Sequence, residues 1–299
     1  MALRVTQSMM SNQLIRNINN NMSRLSGWQT QLATGRTINK PSDNPVGITY
    51  SLRYRSELQA NEQYQSNVDS ALSWLEFTDM LIGQIGDIVK RAKELTVQGS
   101  TGTNPQVAMD SVANEIVQLK AQLVNIGNSQ LAGKYVFNGQ TYDKPPYPDV
   151  QNAGSALTDE GSVYYEVGIG TDLVINVNGN QLFGRPTEQD NLFQVLDRIA
   201  NALYSGNKSG AAAELDNLDT RFEKIVSVRS EVGAKTNRVE LMQERLLDLE
   251  LNITRLQSKT EDADIAEVLM RYQTDENVYR ASLAMGSRVI MTTLVDFLR

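Results

Sequence analysis

The sequence predicts a mainly α-helical chain: a long helical bundle or coiled coil formed by pairing the N- and C-terminal halves, with a small β-rich insertion between them. Three observations carry this expectation. Apolar residues recur at alternating spacings of three and four through both terminal stretches and through most of the middle, the signature of helices that bury a heptad seam. That period is lost between Lys134 and about Pro186, where prolines and glycines cluster. The length of 299 residues is enough for two or three domains and a sizeable core.

Composition narrows the function before any motif does. With 28 Lys plus Arg against 35 Asp plus Glu, the net charge of −7 argues against nucleic acid or an anionic membrane as the main partner. No Cys means no disulfide and no thiolate metal site, and no His removes the commonest metal ligand and neutral-pH acid-base group. Nowhere do six apolar residues run together, so neither a membrane span nor the apolar part of a cleavable signal peptide is expected. Leaving the cell would need a non-standard route.

The last stretch, Asp262 to Arg299, sets the pattern. Leu269, Glu276, Leu283, Ile290 and Phe297 recur every seven residues, interleaved with Ile265, Tyr272, Tyr279, Gly286 and Thr293. Glu, Gly and Thr on seam positions leave this helix dependent on a partner. Residues 1 to 34 mirror it, with Ile15, Ile18, Met22, Leu25 and Leu32 apolar, Ser8, Ser11 and Gln29 on the other seam positions, and an Asn-rich polar face that lowers helix propensity. Each terminal helix is therefore expected to cover the other and to pack between molecules. Gly35 can end the first helix, and Asn44-Pro45 can cap and open the next.

A long helix from Ile48 to Gly99 carries two apolar stripes, one with Val68, Leu72, Leu75, Ile82 and Val89, the other with Ala71, Trp74, Leu81, Ile85, Ile88, Ala92 and Leu95, so it should have two neighbours. Asn104-Pro105 restarts a helix whose seam runs from Met109 to Ile126 and which should stop near Gly133, closing an αα-hairpin. In the insertion, Leu173–Val177 and Gln181–Phe183 flank Asn178-Gly179, which reads as a two-residue hairpin turn, and Gly133–Gly139 is a second strand candidate. Thr187 with Asp190 suggests a capping arrangement before a short helix through Leu192, Val195, Leu196, Ile199 and Leu203. From about Ala211 to Lys259 a last long helix has the cleanest heptads, with Ile225, Val232, Val239, Leu246 and Ile253 on one position and Val228, Met242, Leu249 and Leu256 on the other, where Lys235 is the exception.

Catalytic chemistry has little to work with, and no catalytic, metal or cofactor residues are expected. Glu267, Asp275 and Glu276, or Asp262 with Asp264, could be imagined as a cluster, but each fits a solvated helical charge pattern. The run Gly168-Ile169-Gly170 lacks the third glycine of a dinucleotide loop. Tyr135, Phe137, Tyr142 and Tyr147 could bind carbohydrate or peptide, or simply fill the core of a small β-domain.

The run Ala33 to Gly47, the form Asn39-Lys40-Pro41-Ser42-Asp43-Asn44-Pro45, the segment Gly133 to Pro148, and the tail opened by Asp262-Ala263-Asp264-Ile265-Ala266-Glu267 and closed by Leu294-Val295-Asp296-Phe297-Leu298-Arg299 together resemble the bacterial flagellin family. Lys40-Pro41 and Gly133–Gly139 are similar to its hook-associated branch, while the terminal Arg299 is closer to filament flagellin. The resemblance implies a non-enzymatic structural subunit of the flagellum that joins hook to filament, exported unfolded by the flagellar type III route to the extracellular structure. Its partners would be its own copies, a neighbouring hook-associated protein, flagellin and a flagellar export chaperone, with no nucleic acid and no membrane. It further implies three parts: residues 1–44 plus 262–299 as a terminal coiled coil, disordered in the free subunit; 45–141 plus 187–261 as a helical rod; and 142–186 as an outer insertion. The assembly interface would be Ile15, Ile18, Met22, Leu25, Leu32, Ile265, Leu269, Tyr272, Tyr279, Leu283, Ile290 and Phe297, and the interdomain connector Gly35, Arg36, Ile38, Asn39, Pro41, Asp43 and Pro45. A filament flagellin and, from a different class, a cytosolic coiled-coil scaffold or signalling protein remain the alternatives.

Overall fold

The computed structural model describes residues 7–101 and 105–296. The chain is mainly helical with two small antiparallel sheets, in agreement with the expected class. In order, the elements are α1 (Gln7–Thr34), α2 (Pro45–Ser100), α3 (Gln106–Gly127), β1 (Gln130–Leu131), β2 (Lys134–Tyr135), β3 (Tyr164–Gly168), β4 (Thr171–Val174), α4 (Gly179–Phe183), α5 (Leu192–Tyr204), α6 (Lys208–Ala213), α7 (Leu215–Glu261) and α8 (Ile265–Asp296). Two compact units divide it: Met1–Ala60 with Leu249–Arg299, and Asn61–Asp248.

The unit Asn61–Asp248 holds the apolar core. Both stripes of α2 pack into the core: Val68, Leu75, Ile82 and Val89 on one and Ala71, Leu81, Ile85, Ile88, Ala92 and Leu95 on the other are buried, while Leu72 and Trp74 are half-buried against it. The α7 row Ile225, Val232, Val239 and Leu246 is buried in the same cluster, as are Ile116 and Leu123 of α3 and Leu196 and Ile199 of α5, whereas of the companion α7 row Val228 and Met242 are half-buried and Leu249 and Leu256 exposed. Each fully buried large apolar side chain contributes about 1.5–3 kcal/mol, so these rows outweigh the isolated polar positions among them. Phe137, Tyr147, Phe183 and Phe193 form one aromatic cluster, with Phe183 stacked on Phe193 at 4.9 Å between centroids. Phe137 and Tyr147 are therefore core, whereas Tyr142 is exposed beneath the Lys134 ammonium.

Several local expectations are corrected. Asn178-Gly179 is not a hairpin turn: the Asn178 side chain accepts a hydrogen bond from the Gln181 N–H at 3.0 Å and caps α4. The hairpin instead joins β3 to β4 through Ile169 and Gly170, whose φ is +64°. α3 stops at Gly127, and Gly133 lies in the β1–β2 turn, where Ala132 and Gly133 both have positive φ as a two-residue turn of this kind requires. α5 is capped by Asn191, not Thr187; Asp190 faces the buried Arg221, which donates from Nε to the Asp190 carbonyl at 2.9 Å and pairs with Glu188. A charge buried as deeply as that of Arg221 is tolerated because it is paired.

Candidate assembly surface and connector

In the unit Met1–Ala60 with Leu249–Arg299, α1 packs along α8. On α1 the buried and half-buried positions include Ser11, Leu14, Ile18, Asn21, Leu25, Trp28 and Leu32, and on α8 they include Val268, Tyr272, Asp275, Tyr279, Ser282 and Gly286. Both sets alternate by three and four, as interlocking helices require. Half of each expected row is displaced by one residue. Ile15 and Met22 are exposed, at 51% and 59%, and so are Ile265, Leu269 and Leu283. Ile290 and Phe297 lie outside the described side chains.

The displacement has a polar cause. The Asn21 amide donates to the Ser282 hydroxyl at 3.1 Å, the Trp28 indole N–H donates to Asp275 at 2.9 Å, and Arg24 pairs with Asp275 at 3.2 Å while donating to Asn21 at 2.8 Å. The Arg271 guanidinium sits over the Trp28 ring at 5.4 Å. Groups that need partners when buried thus occupy the pair's inner face, and the apolar residues beside them turn outward. Gly286 marks a close approach: a Cβ there would meet Leu14 at 3.1 Å. The Arg24 guanidinium and the Trp28 N–H together hold the Asp275 carboxyl below the usual carboxylate range.

The connector behaves as its residues suggest and is also tied to the chain's other end. Gly35 ends α1 with φ +68°, and the Asn44 side chain accepts from the Gly47 N–H at 2.9 Å to open α2 at Pro45. Asp43 accepts from the backbone N–H groups of Lys40 and Asn39 at 2.8 and 3.0 Å, and those two bonds lower its pKa. Asn39 donates to the Arg36 carbonyl, Ile38 is buried, and Pro41 and Pro45 face solvent. Arg36 forms a β-bridge with Asp262, flanked by hydrogen bonds from Thr37 N–H to the Glu261 carbonyl and from Ala263 N–H to the Gly35 carbonyl.

Glu261 holds this junction together, and no motif or spacing in the sequence marks it. Its side chain is only 1% exposed and accepts from Arg55, from Gln257 at 2.8 Å and, as an ion pair, from Arg36 at 3.4 Å. Burial pushes its carboxyl up, but hydrogen bonds from Arg55 and Gln257 outweigh burial and bring it to about 2. Arg55 and Glu261 are 206 residues apart, so no spacing rule pairs them.

The acidic residues near the start of α8 do not converge. Glu267 pairs with Arg271 and Glu276 with Arg280 along the helix, Asp264 caps the helix through the Ala266 and Glu267 N–H groups, and Asp262 accepts from Ser258. Among the described residues no group of three acidic side chains is placed to hold a metal ion. This geometry can hold two helices in register and lock the chain's two ends together.

Comparison with known proteins gives a consistent pattern. The model of the bacterial flagellin N-terminal helical region matches residues 5–141, and that of the C-terminal helical region matches residues 215–298. The chain is 25% identical to flagellar hook-associated protein 3 of Escherichia coli (strain K12) over 302 residues, 94% of this chain and 95% of that protein. It is 24% identical to flagellin of Bacillus subtilis (strain 168) over 95% of both. Among solved structures, Bacillus cereus FlgL superposes with a TM-score of 0.60 at 20% identity, covering 69% of this chain and 99% of that one. Flagellar hook associated protein-3 from Legionella pneumophila gives 0.61 at 14% identity, over 69% of this chain and 97% of that one. At such identities these two likenesses speak to the fold.

Proposed function

The chain belongs to the bacterial flagellin family, and from that premise we propose that it is the structural subunit that joins the flagellar hook to the filament, assembling through its terminal helices. The observation that carries the reading is the outward apolar row of the α1–α8 pair: Ile15 and Met22 on one helix and Ile265, Leu269 and Leu283 on the other are exposed while polar groups fill much of the seam. A helix pair that leaves its apolar residues outside has surface to share with neighbours. Ile290 and Phe297 continue the α8 row at the same seven-residue spacing in the sequence. The chain spans nearly the whole of the E. coli hook-associated protein 3 that it resembles, which favours the junction role.

On this reading the subunit is an extracellular component of the flagellum, and its partners are its own copies, the adjacent hook-associated protein and flagellin. An export chaperone holds it unfolded before type III passage. Residues 1–44 with 262–299 act as the assembly coil, 45–141 with 187–261 as the rod, and 142–186 as the outward insertion. Gly35 through Pro45 is the bend between the assembly coil and the rod. Catalysis has no part in it.

The test is complementation of a flagellated bacterium lacking its own junction subunit. Expression of this chain should restore attached filaments. An Ile15→Glu, Leu269→Glu variant should lower attachment at least about tenfold, because a carboxylate would have to be covered without a partner. Filaments that stay unattached with the unaltered chain, although it reaches the medium, would sink the reading. The full-length match to B. subtilis flagellin supports a second reading as a filament subunit. Purified chain that grows long filaments on its own from filament seeds would favour that one.

A further inference from the structure

Seven of the ten methionines fall in residues 1–44 and 262–299, about a quarter of the chain. Of these, Met9, Met10, Met22, Met270 and Met285 are described, and all five are exposed, Met22, Met270 and Met285 at 59%, 62% and 58%. Elsewhere Met109 is buried, Met242 half-buried and Met80 exposed. The outer surface of the α1–α8 pair thus carries thioethers where Leu or Ile would supply the same apolar area. An unbranched, polarisable side chain adapts to more than one neighbour, which suits a surface that must meet both its own copies and other subunits. The same sulfur is open to two-electron oxidants, and with no Cys in the chain no thiol competes for them.

We propose that Met22, Met270 and Met285 are three separate oxidation sites on the outer surface of the α1–α8 pair, at which conversion to the sulfoxide by hydrogen peroxide blocks addition of the subunit to the growing structure; this rests on the assembly reading above. In the step, a sulfur lone pair attacks one peroxide oxygen, the S–O bond forms as the O–O bond breaks, and the departing oxygen takes a proton and leaves as water. Sulfur loses two electrons and the peroxide gains them. The product turns an apolar, flexible side chain into a polar one with a strong acceptor oxygen. These side chains lie outside the α1–α8 seam, so oxidation changes the outward surface and leaves the residues packed between the two helices unaltered. Covering an acceptor that finds no donor weakens a contact about tenfold per site. Because sulfoxides are reduced enzymatically, the block is reversible.

The experiment treats the purified full-length chain with hydrogen peroxide, maps sulfoxides by peptide mass spectrometry, and measures co-sedimentation with hooks isolated from cells lacking this subunit. Met22, Met270 and Met285 should oxidise well ahead of Met109, and co-sedimentation should fall at least about tenfold with circular dichroism unchanged. In the M22L/M270L/M285L variant, whatever its untreated level, peroxide should lower binding several-fold less than in the unaltered chain, whereas M80L should lose as much as the unaltered chain does. Normal co-sedimentation of chain shown to carry the three sulfoxides overturns the proposal, as does an equal peroxide loss in the triple variant. Untreated chain that never sediments with hooks overturns the assembly reading itself, and this inference with it.

Discussion

Glu261 is a buried carboxylate whose partners come from the connector and from the first turns of α2, so its ionisation is linked to the joining of the chain's two ends. Its pKa is lowered from the ordinary 4.5 to about 2. A depressed carboxylate contributes stability that is complete above the unfolded value and is lost as pH falls from about 4.5 towards 2. The shift corresponds to at most about 3 kcal/mol, and to less in practice because Arg55 and Arg36 themselves face solvent. Glu261→Gln should therefore flatten the fall in urea-unfolding stability between about pH 5 and pH 3 without removing it, since Asp275 and Asp43 are lowered as well. Arg55→Met should cost more at neutral pH than Glu261→Gln, because it leaves a buried charge short of a partner. Equal acid slopes for Glu261→Gln and the unaltered chain would count against this account. Nearby residues differ in how far the sequence reveals them. Gly35 is legible because a glycine after an amphipathic run ends helices for a local reason, its freedom at positive φ. Arg55 and Glu261 are not, because their link is purely tertiary.

At the scale of elements, the α1–α8 pair shows where period reading stops. Ile18, Leu25, Leu32, Tyr272, Tyr279 and Gly286 are on seam positions as read, but the alternate positions belong to Leu14, Asn21, Trp28, Val268, Asp275 and Ser282. Apolarity alone favours Ile15 and Met22; the hydrogen bonds of Asn21 and Trp28 select the neighbouring residues, and these bonds exist only once two distant helices meet. Such polar seam groups fix register at a cost in stability. Gly286 lets the helices come close, so Gly286→Leu should force Leu14 and Ile18 aside. An overpacking cost of about 1–3 kcal/mol should appear as faster amide exchange in both α1 and α8 of the hook-bound chain, with the core helices unaffected. Unchanged exchange in α1 would mean that the close approach is not needed for pairing. Asn178-Gly179 failed for a different reason. A side chain at Gly179 would meet the Tyr147 hydroxyl at 2.4 Å, so this glycine is required by lack of room, and the turn reading assumed it was required for positive φ. The α7 heptads were legible because Ile225, Val232, Val239 and Leu246 bury one unbroken apolar row against the same core.

Across the whole molecule, the two units draw on different sources of order. The unit Asn61–Asp248 has a continuous apolar core fed by α2, α3, α5 and α7, which stabilises those helices without outside help. The α1–α8 pair rests on a half-polar seam, and helices of this kind gain little from propensity when their apolar face is uncovered. Hydrogen exchange on the free, purified chain should therefore show α1 and α8 exchanging within seconds while buried segments such as 112–124, 192–203 and 218–246 stay protected far longer. Binding to isolated hooks should then raise protection in α1 and α8 and leave the core segments as they were. That contrast follows from coupling the folding of the end helices to their coverage by neighbouring subunits, so that the apolar row of Ile15, Met22, Leu269 and Leu283 stabilises the helices only in the assembled state. If α1 and α8 are as protected as the core in the free chain, the seam of Asn21, Trp28, Asp275 and Ser282 is sufficient by itself. The outward row would then serve attachment alone, without a role in folding the helices that carry it.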